Sequence, residues 1–234
     1  MEHAVPPISD HATHGVFSLV VVGAMNPALH HPQWYESIGC ISAAEVDEAL
    51  ARQFLFINQV TQFDSGAFEV FCDPNRWQIT TRTREAETRI VEIMLTVFDK
   101  RLTETPVTAL GISRALHAST STADVAKSVS SLLTRLPSGF HGEPSSTGKI
   151  TFVEAQPSSE HVERARLRWE IEPSASAKDS IYLGANLELV LGSTPVPSRF
   201  ELNTIVTPRL PGLTESVAAR IKSVVAAIDA EGGA

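Results

Sequence analysis

The sequence predicts an α+β fold, with antiparallel sheet packed by amphipathic helices and a layout of two similar strand-run-plus-helix halves. Three observations carry this. Alternating apolar and polar segments come in runs, around 68–82 and again over 165–206, instead of in strand–helix–strand units. Each run is followed by a stretch whose apolar residues recur at helical spacing. A chain of 234 residues, 43% hydrophobic and 20% charged, is also long enough to bury a core without staples. No motif recurs between the halves, so the residues themselves give a duplication no support.

Taken in order, residues 1–15 carry Pro6-Pro7 and no periodicity, and read as a flexible arm. The β-branched run at 17–22 (FSLVVV) reads as a strand covered on both faces. Ser42 with Glu45 three residues on forms a capping box, and Ile41 and Val46 are placed as its hydrophobic staple, so a helix starts there. Residues 56–63 are rich in β-formers and read as one strand. Phe68, Val70 and Cys72, then Trp77, Ile79 and Thr81, alternate with polar residues around Asp73-Pro74-Asn75-Arg76, which predicts a hairpin with a tight turn. Ile90, Met94, Val97, Phe98 and Leu102 mark a helix, 107–116 a strand, and 123–136 another helix.

The first half is thus expected over 16–136 and a linker-like loop over 137–149 (PSGFHGEPSSTGK). A second sheet with a C-terminal helix follows over 150–230, either as its own domain or as part of the first. Alternation at 165–171 and 181–191 predicts an antiparallel pair that turns Leu167, Trp169, Leu183, Leu187 and Leu189 toward a helix. A strand is expected at 200–206, and Thr214 is expected to cap the last helix.

The net charge of −8 opposes nucleic-acid or anionic-membrane binding through bulk charge, and no segment approaches the ~18 apolar residues of a membrane helix. Cys40 and Cys72 are too few for a disulfide framework and suit a reducing compartment, so the expected location is cytoplasmic. No cofactor is expected, because phosphate-binding loops are absent. No metal site is expected either. His11 and His14 have H-x-x-H spacing without further ligands, and adjacent His30 and His31 point opposite ways on extended backbone. Ser113 and His117 share a strand face but stand about 13 Å apart, too far for a dyad.

Two features are candidates for binding. The loop at 23–35 (GAMNPALHHPQWY) gathers Asn26, His30, His31, Trp34 and Tyr35, which suit a pocket rim where an imidazole meets an aromatic wall. Its prolines and core anchors explain the same residues without a ligand. Arg164, Arg166 and Arg168 form a stripe at period two that suits an anion, or else a solvated sheet face balanced by Glu170, Glu172 and Glu188.

The segments VVVGAMNPALHHPQWY, CDPNRWQITT and PVTALGISRALH, in that order over residues 17–117, resemble an uncharacterised family of bacterial proteins. That resemblance implies no activity and no site residues, but it singles out Asn26, Pro27 and Trp34. Ser113 stands where the family usually has asparagine. The expectation is therefore a non-enzymatic interaction or scaffold protein, self-associating or binding a protein partner. The alternative is a small-ligand binder or enzyme that uses the histidines of the 23–35 loop.

Overall fold

Strand β1 (Ala12–Gly23) runs through the middle of a single sheet and holds the architecture together. The structure is a computed structural model that describes residues 12–57, 59–122, 125–132, 148–192, 196–197 and 202–232. After β1 come the short helix α1 (Pro32–Ser37) and α2 (Ala43–Ala51). Strands β2 (Leu55–Ile57), β3 (Val60–Asp64), β4 (Glu69–Asp73) and β5 (Arg76–Thr81) follow, then helix α3 (Glu87–Leu95) with a π-helical turn over Thr96–Arg101. The second set is β6 (Pro106–Ser119), α4 (Val125–Leu132), β7 (Ile150–Gln156), β8 (Arg164–Pro173) and β9 (Ser180–Val190). It closes with the two-residue β10 (Val196–Pro197), α5 (Leu202–Val206) and α6 (Arg209–Gly232).

The sheet is antiparallel throughout, in the order β2-β3-β4-β5-β1-β6-β9-β8-β7, with β10 beside the start of β6. Its topology repeats. Outward from the central β1–β6 pair, the first half runs β1, β5, β4, β3 and the second β6, β9, β8, β7. In each half a long strand is followed by helix, three antiparallel strands and a helix. Among the described residues β2 is the strand of the first set without a counterpart in the second.

The strand order therefore repeats about the β1–β6 pair, with β6, expected with the strands before it, pairing β9 of the later set. Residues 133–147 lie outside the described residues, so the linker expected at 137–149 is almost wholly outside them too. The start of β1 takes in residues 12–15 of the expected arm: Ala12 and Thr13 pair with Ala118 and His117.

Among the described residues the helices lie on one face of the sheet. α3 packs on β5 and β1, α6 on β6 and β9, and α4 between β8 and α6. Beneath them lies one continuous core, built from Phe17, Leu19, Trp77, Ile112, Trp169, Leu183 and their neighbours. β8 and β9 pair as expected, Trp169 opposite Ala185 and Leu167 opposite Leu187, with all four buried. The predicted turn is also present, Asp73 Oδ1 accepting from the backbone N–H of Asn75 and Arg76 at 2.8 and 2.9 Å.

Four local expectations are corrected. β1 is covered on one face, with Phe17, Leu19 and Val21 inside and Val20 and Val22 half-buried, because its other side chains are shielded only sideways by β5 and β6. Residues 56–63 form two strands of a hairpin, not one. The stretch expected as a strand at 200–206 holds α5, whose buried Leu202, Ile205 and Val206 follow the i, i+3, i+4 rule of a helix. Thr214 lies inside α6, bonding back to the carbonyl of Leu210 at 2.9 Å, since Pro211 is tolerated in a first turn.

Candidate functional site

The loop after β1 is fastened from its first residue. Gly23, Ala24 and Met25 donate their backbone N–H groups to the carbonyls of Asn75, Pro106 and Pro74 at 2.9, 3.0 and 2.9 Å. Gly23 has to be glycine: a Cβ there would stand 1.9 Å from the carbonyl oxygen of Pro106.

Each singled-out polar residue of this loop then meets a structural demand. Asn26 is exposed and caps the single 3-10 turn Pro27–Leu29, its Oδ1 accepting from Ala28 N–H at 3.2 Å. His31 caps α1, its Nδ1 accepting from Gln33 N–H at 3.3 Å, with Pro32 at the first helical position. The carbonyl of Pro27 accepts from Thr61 Oγ1 at 2.7 Å, which ties the loop to β3.

His30 goes inward and is 1% exposed. Its Nδ1 lies 2.8 Å from the hydroxyl of Tyr35, which accepts from the indole N–H of Trp77 on β5 at 2.7 Å. Burial lowers the imidazole's pKa to about 4. A scaffold role asks nothing of either histidine beyond an ordinary surface position. His30 does not occupy one, because it points into the core. Trp34 is half-buried, edge-on to His30 and Tyr35 at 5.6 and 5.2 Å.

Beside the loop lies an exposed apolar patch. The His31 ring stands edge-on to Phe54 and Phe56 at 5.0 and 5.2 Å, and those two rings stack at 6.1 Å. Phe56 belongs to β2, the edge of the sheet, where Leu55, Phe56 and Ile57 are 41%, 45% and 54% exposed. Leu29 and Leu50 are exposed as well. Three consecutive apolar side chains thus stand on an edge strand whose outer hydrogen-bonding groups have no strand beside them among the described residues. The sequence reasoning missed this. An apolar run looks alike on an edge and in a centre, and only the pairing of 55–57 with 60–62 shows that nothing follows β2 outward.

The remaining candidates are placed as follows. Ser113 donates to Asn186 Oδ1 at 3.0 Å and His117 Nδ1 lies 2.9 Å from Ser174 Oγ, so the two do not meet. Of the arginine stripe, Arg166 pairs with Glu188 at 3.2 Å. Cys40 and Cys72 are free thiols, pushed up to about 11 and about 12 chiefly by burial, with Asp73 adding to the rise at Cys72. Among the described residues no three metal-ligating side chains come together. No helix among the described residues is long and apolar enough to cross a membrane.

The sequence also passed over a buried ion pair. Arg114 on β6 and Glu87 on α3 are each 4% exposed and joined by two hydrogen bonds, one of 2.9 Å, with the guanidinium 4.9 Å above the Phe17 ring. Alternation was a signal available for it, since Leu110, Ile112 and Leu116 put Arg114 on the inner face.

No family model matches the chain, and no curated protein matches it. Among solved structures it is similar to the crystal structure of Ara h 8.0201, at 9% identity over 89% of this chain and 98% of that chain, with a TM-score of 0.23. A likeness at that score carries no argument about function.

Proposed function

We propose that this protein is a non-enzymatic cytoplasmic scaffold that self-associates through β2, the open edge of its sheet. One observation carries the reading: Leu55, Phe56 and Ile57 are exposed together on an edge strand that has no proline or lysine to guard it. A two-fold axis through Phe56 pairs β2 with its copy antiparallel. Each Leu55 then faces the copy's Ile57, and the two Phe56 rings meet on the helix side, flanked by Phe54 and His31. The loop supports the same reading, because Asn26 and His31 cap helical turns and His30 turns into the core. Two free thiols suit a reducing compartment.

Light scattering over a concentration series tests this. The wild-type chain is expected to run as a dimer. Ile57→Lys is expected to be a monomer with unchanged circular dichroism, and Val153→Lys on the opposite edge strand β7 is expected to remain a dimer. A wild-type chain that stays monomeric at every concentration would remove the proposal.

A further inference from the structure

A rung of polar side chains crosses the uncovered face of the sheet at its centre. Thr80, Ser18, Ser113, Asn186 and Arg168 are successive register partners on β5, β1, β6, β9 and β8. The hydroxyls of Ser18 and Thr80 pair at 2.9 Å, and Ser113 donates to Asn186 Oδ1 at 3.0 Å. That bond occupies the acceptor end of the Asn186 amide and leaves its NH2 group unspent. Arg168, next on the rung, is exposed and has no ion pair or hydrogen bond among the described residues.

Beside this pair the surface is hollow. A cavity of about 340 Å³ is lined by residues of β1, β6, β8 and β9, and so by both halves. Ser113, Ala115 and Gly184 line it with little bulk. At Gly184 an added Cβ would lie 2.8 Å from the Tyr182 hydroxyl and 3.0 Å from its ring. The tyrosine therefore lies along β9 over the glycine, backed by the His117 ring at 5.4 Å. Its hydroxyl has no partner among the described residues. Burial, then Glu170 and Glu172, raise the pKa of Tyr182, which keeps the hydroxyl protonated and able to donate. Glu170, the carboxylate in the lining, is held by Lys149 at 3.0 Å and so does not neutralise Arg168.

We propose that this hollow binds a small, flat organic monocarboxylate, held by Arg168, the Asn186 amide and the Tyr182 hydroxyl. Three donors line one hollow in which the Asn186 amide oxygen and the Glu170 carboxylate are already engaged, which favours an anion. The guanidinium fork matches a planar carboxylate with two parallel bonds. The shallow floor over Ala115 and Gly184, with the Tyr182 ring beside it, suits a flat body. Glu170 and Glu172 close by favour one negative charge over two, which sets the carboxylate apart from phosphate.

Benzoate titrated into the full chain and followed by proton–nitrogen NMR tests this. The Asn186 side-chain NH2 signals are expected to shift saturably, and neutral benzamide is expected to leave them in place. Arg168→Gln alters an exposed residue and is expected to weaken benzoate at least about tenfold, the scale of a lost hydrogen bond to a charged group. Arg166→Gln, outside the hollow, is expected to bind as the wild type does. Absence of a shift at Asn186, or undiminished binding in Arg168→Gln, would overturn the site. Inorganic phosphate binding there as tightly as benzoate would overturn the ligand class.

Discussion

Trp77 donates its indole N–H to the hydroxyl of Tyr35 across 2.7 Å, and that hydroxyl also meets the buried His30. The same hydroxyl lies 2.8 Å from Nδ1 of His30. The other ring nitrogen, Nε2, is buried and finds no partner among the described residues. Burial disfavours the charged ring, so the imidazole is neutral at pH 7.

The pH dependence follows from the lowered pKa of about 4 against an ordinary 6.5. Above 6.5 both folded and unfolded chains carry a neutral ring, so His30 adds no pH dependence. As pH falls below 6.5 the unfolded chain takes up a proton that the folded one refuses, and stability drops until pH reaches the folded value. By pH 5 the loss amounts to about 2 kcal/mol. Urea denaturation at pH 7 and pH 5 is expected to show this loss in the wild type and its absence in His30→Gln. Equal losses in both proteins would mean that some other group drives the acid response.

Arg114 and Glu87 supply the second prediction. Both charges are out of water and each neutralises the other, so removing one leaves the other buried and unpaired. Arg114→Met or Glu87→Gln is expected to cost about 3–5 kcal/mol, whereas Arg114→Met with Glu87→Leu is expected to cost far less than the two singles together. A double-mutant cycle by denaturation measures the coupling. Simple additivity would show that the pair does not act as a unit.

The legible parts of this fold share one property, which is that their signals are local. Ser42 and Glu45 lie three residues apart and form the expected capping box, with Ser42 N–H donating to Glu45 Oε2 at 2.9 Å. Asp73 makes its turn within three residues, and alternation alone turned Trp169 and Leu187 inward. The illegible parts depend on distant partners. Tyr35, the partner of His30, is held by Trp77, 42 positions away, and Arg114 is neutralised by Glu87, 27 positions away. The exposure of β2 depends on which strand ends the sheet. α5 was lost because Leu202 and Val206 fit either period, and only the burial of Ile205 decides for a helix.

The capping box gives a third prediction, because Glu45 serves two partners. It closes the N-terminus of α2 and also takes two bonds from Arg89, at 2.6 and 2.8 Å. Those bonds, ahead of the cap, lower its pKa to about 2. Its contribution is complete above about pH 4.5 and is lost as pH falls from there toward 2, a window below that of His30. Ser42→Ala is expected to cost about 1 kcal/mol at pH 7, the usual value of a cap. Arg89→Gln is expected to move the Glu45 carboxyl back toward the ordinary range, which carbon-detected NMR titration of that carboxyl reads directly.

The last prediction sets the two faces of β8 against each other. Trp169 points inward and is 1% exposed. It stacks on Phe152 at 6.1 Å and lies under the Arg220 guanidinium of α6 at 5.0 Å. Three residues back, Arg166 points outward and meets Glu188 with both side chains more than 40% exposed (43% and 46%). Removing the indole leaves a cavity that sheet and helix cannot both close, so Trp169→Ala is expected to cost about 3–5 kcal/mol. A solvated pair is screened and mobile, so Arg166→Ala is expected to cost well under about 1 kcal/mol. Because α6 holds Arg220 over both rings and bonds it to Glu154 at 2.7 Å, Arg220→Ala should fall between the two, by loss of packing as much as of charge. Urea denaturation of the three variants ranks them. A ranking that puts Arg166 first would mean that β8 buries the opposite face.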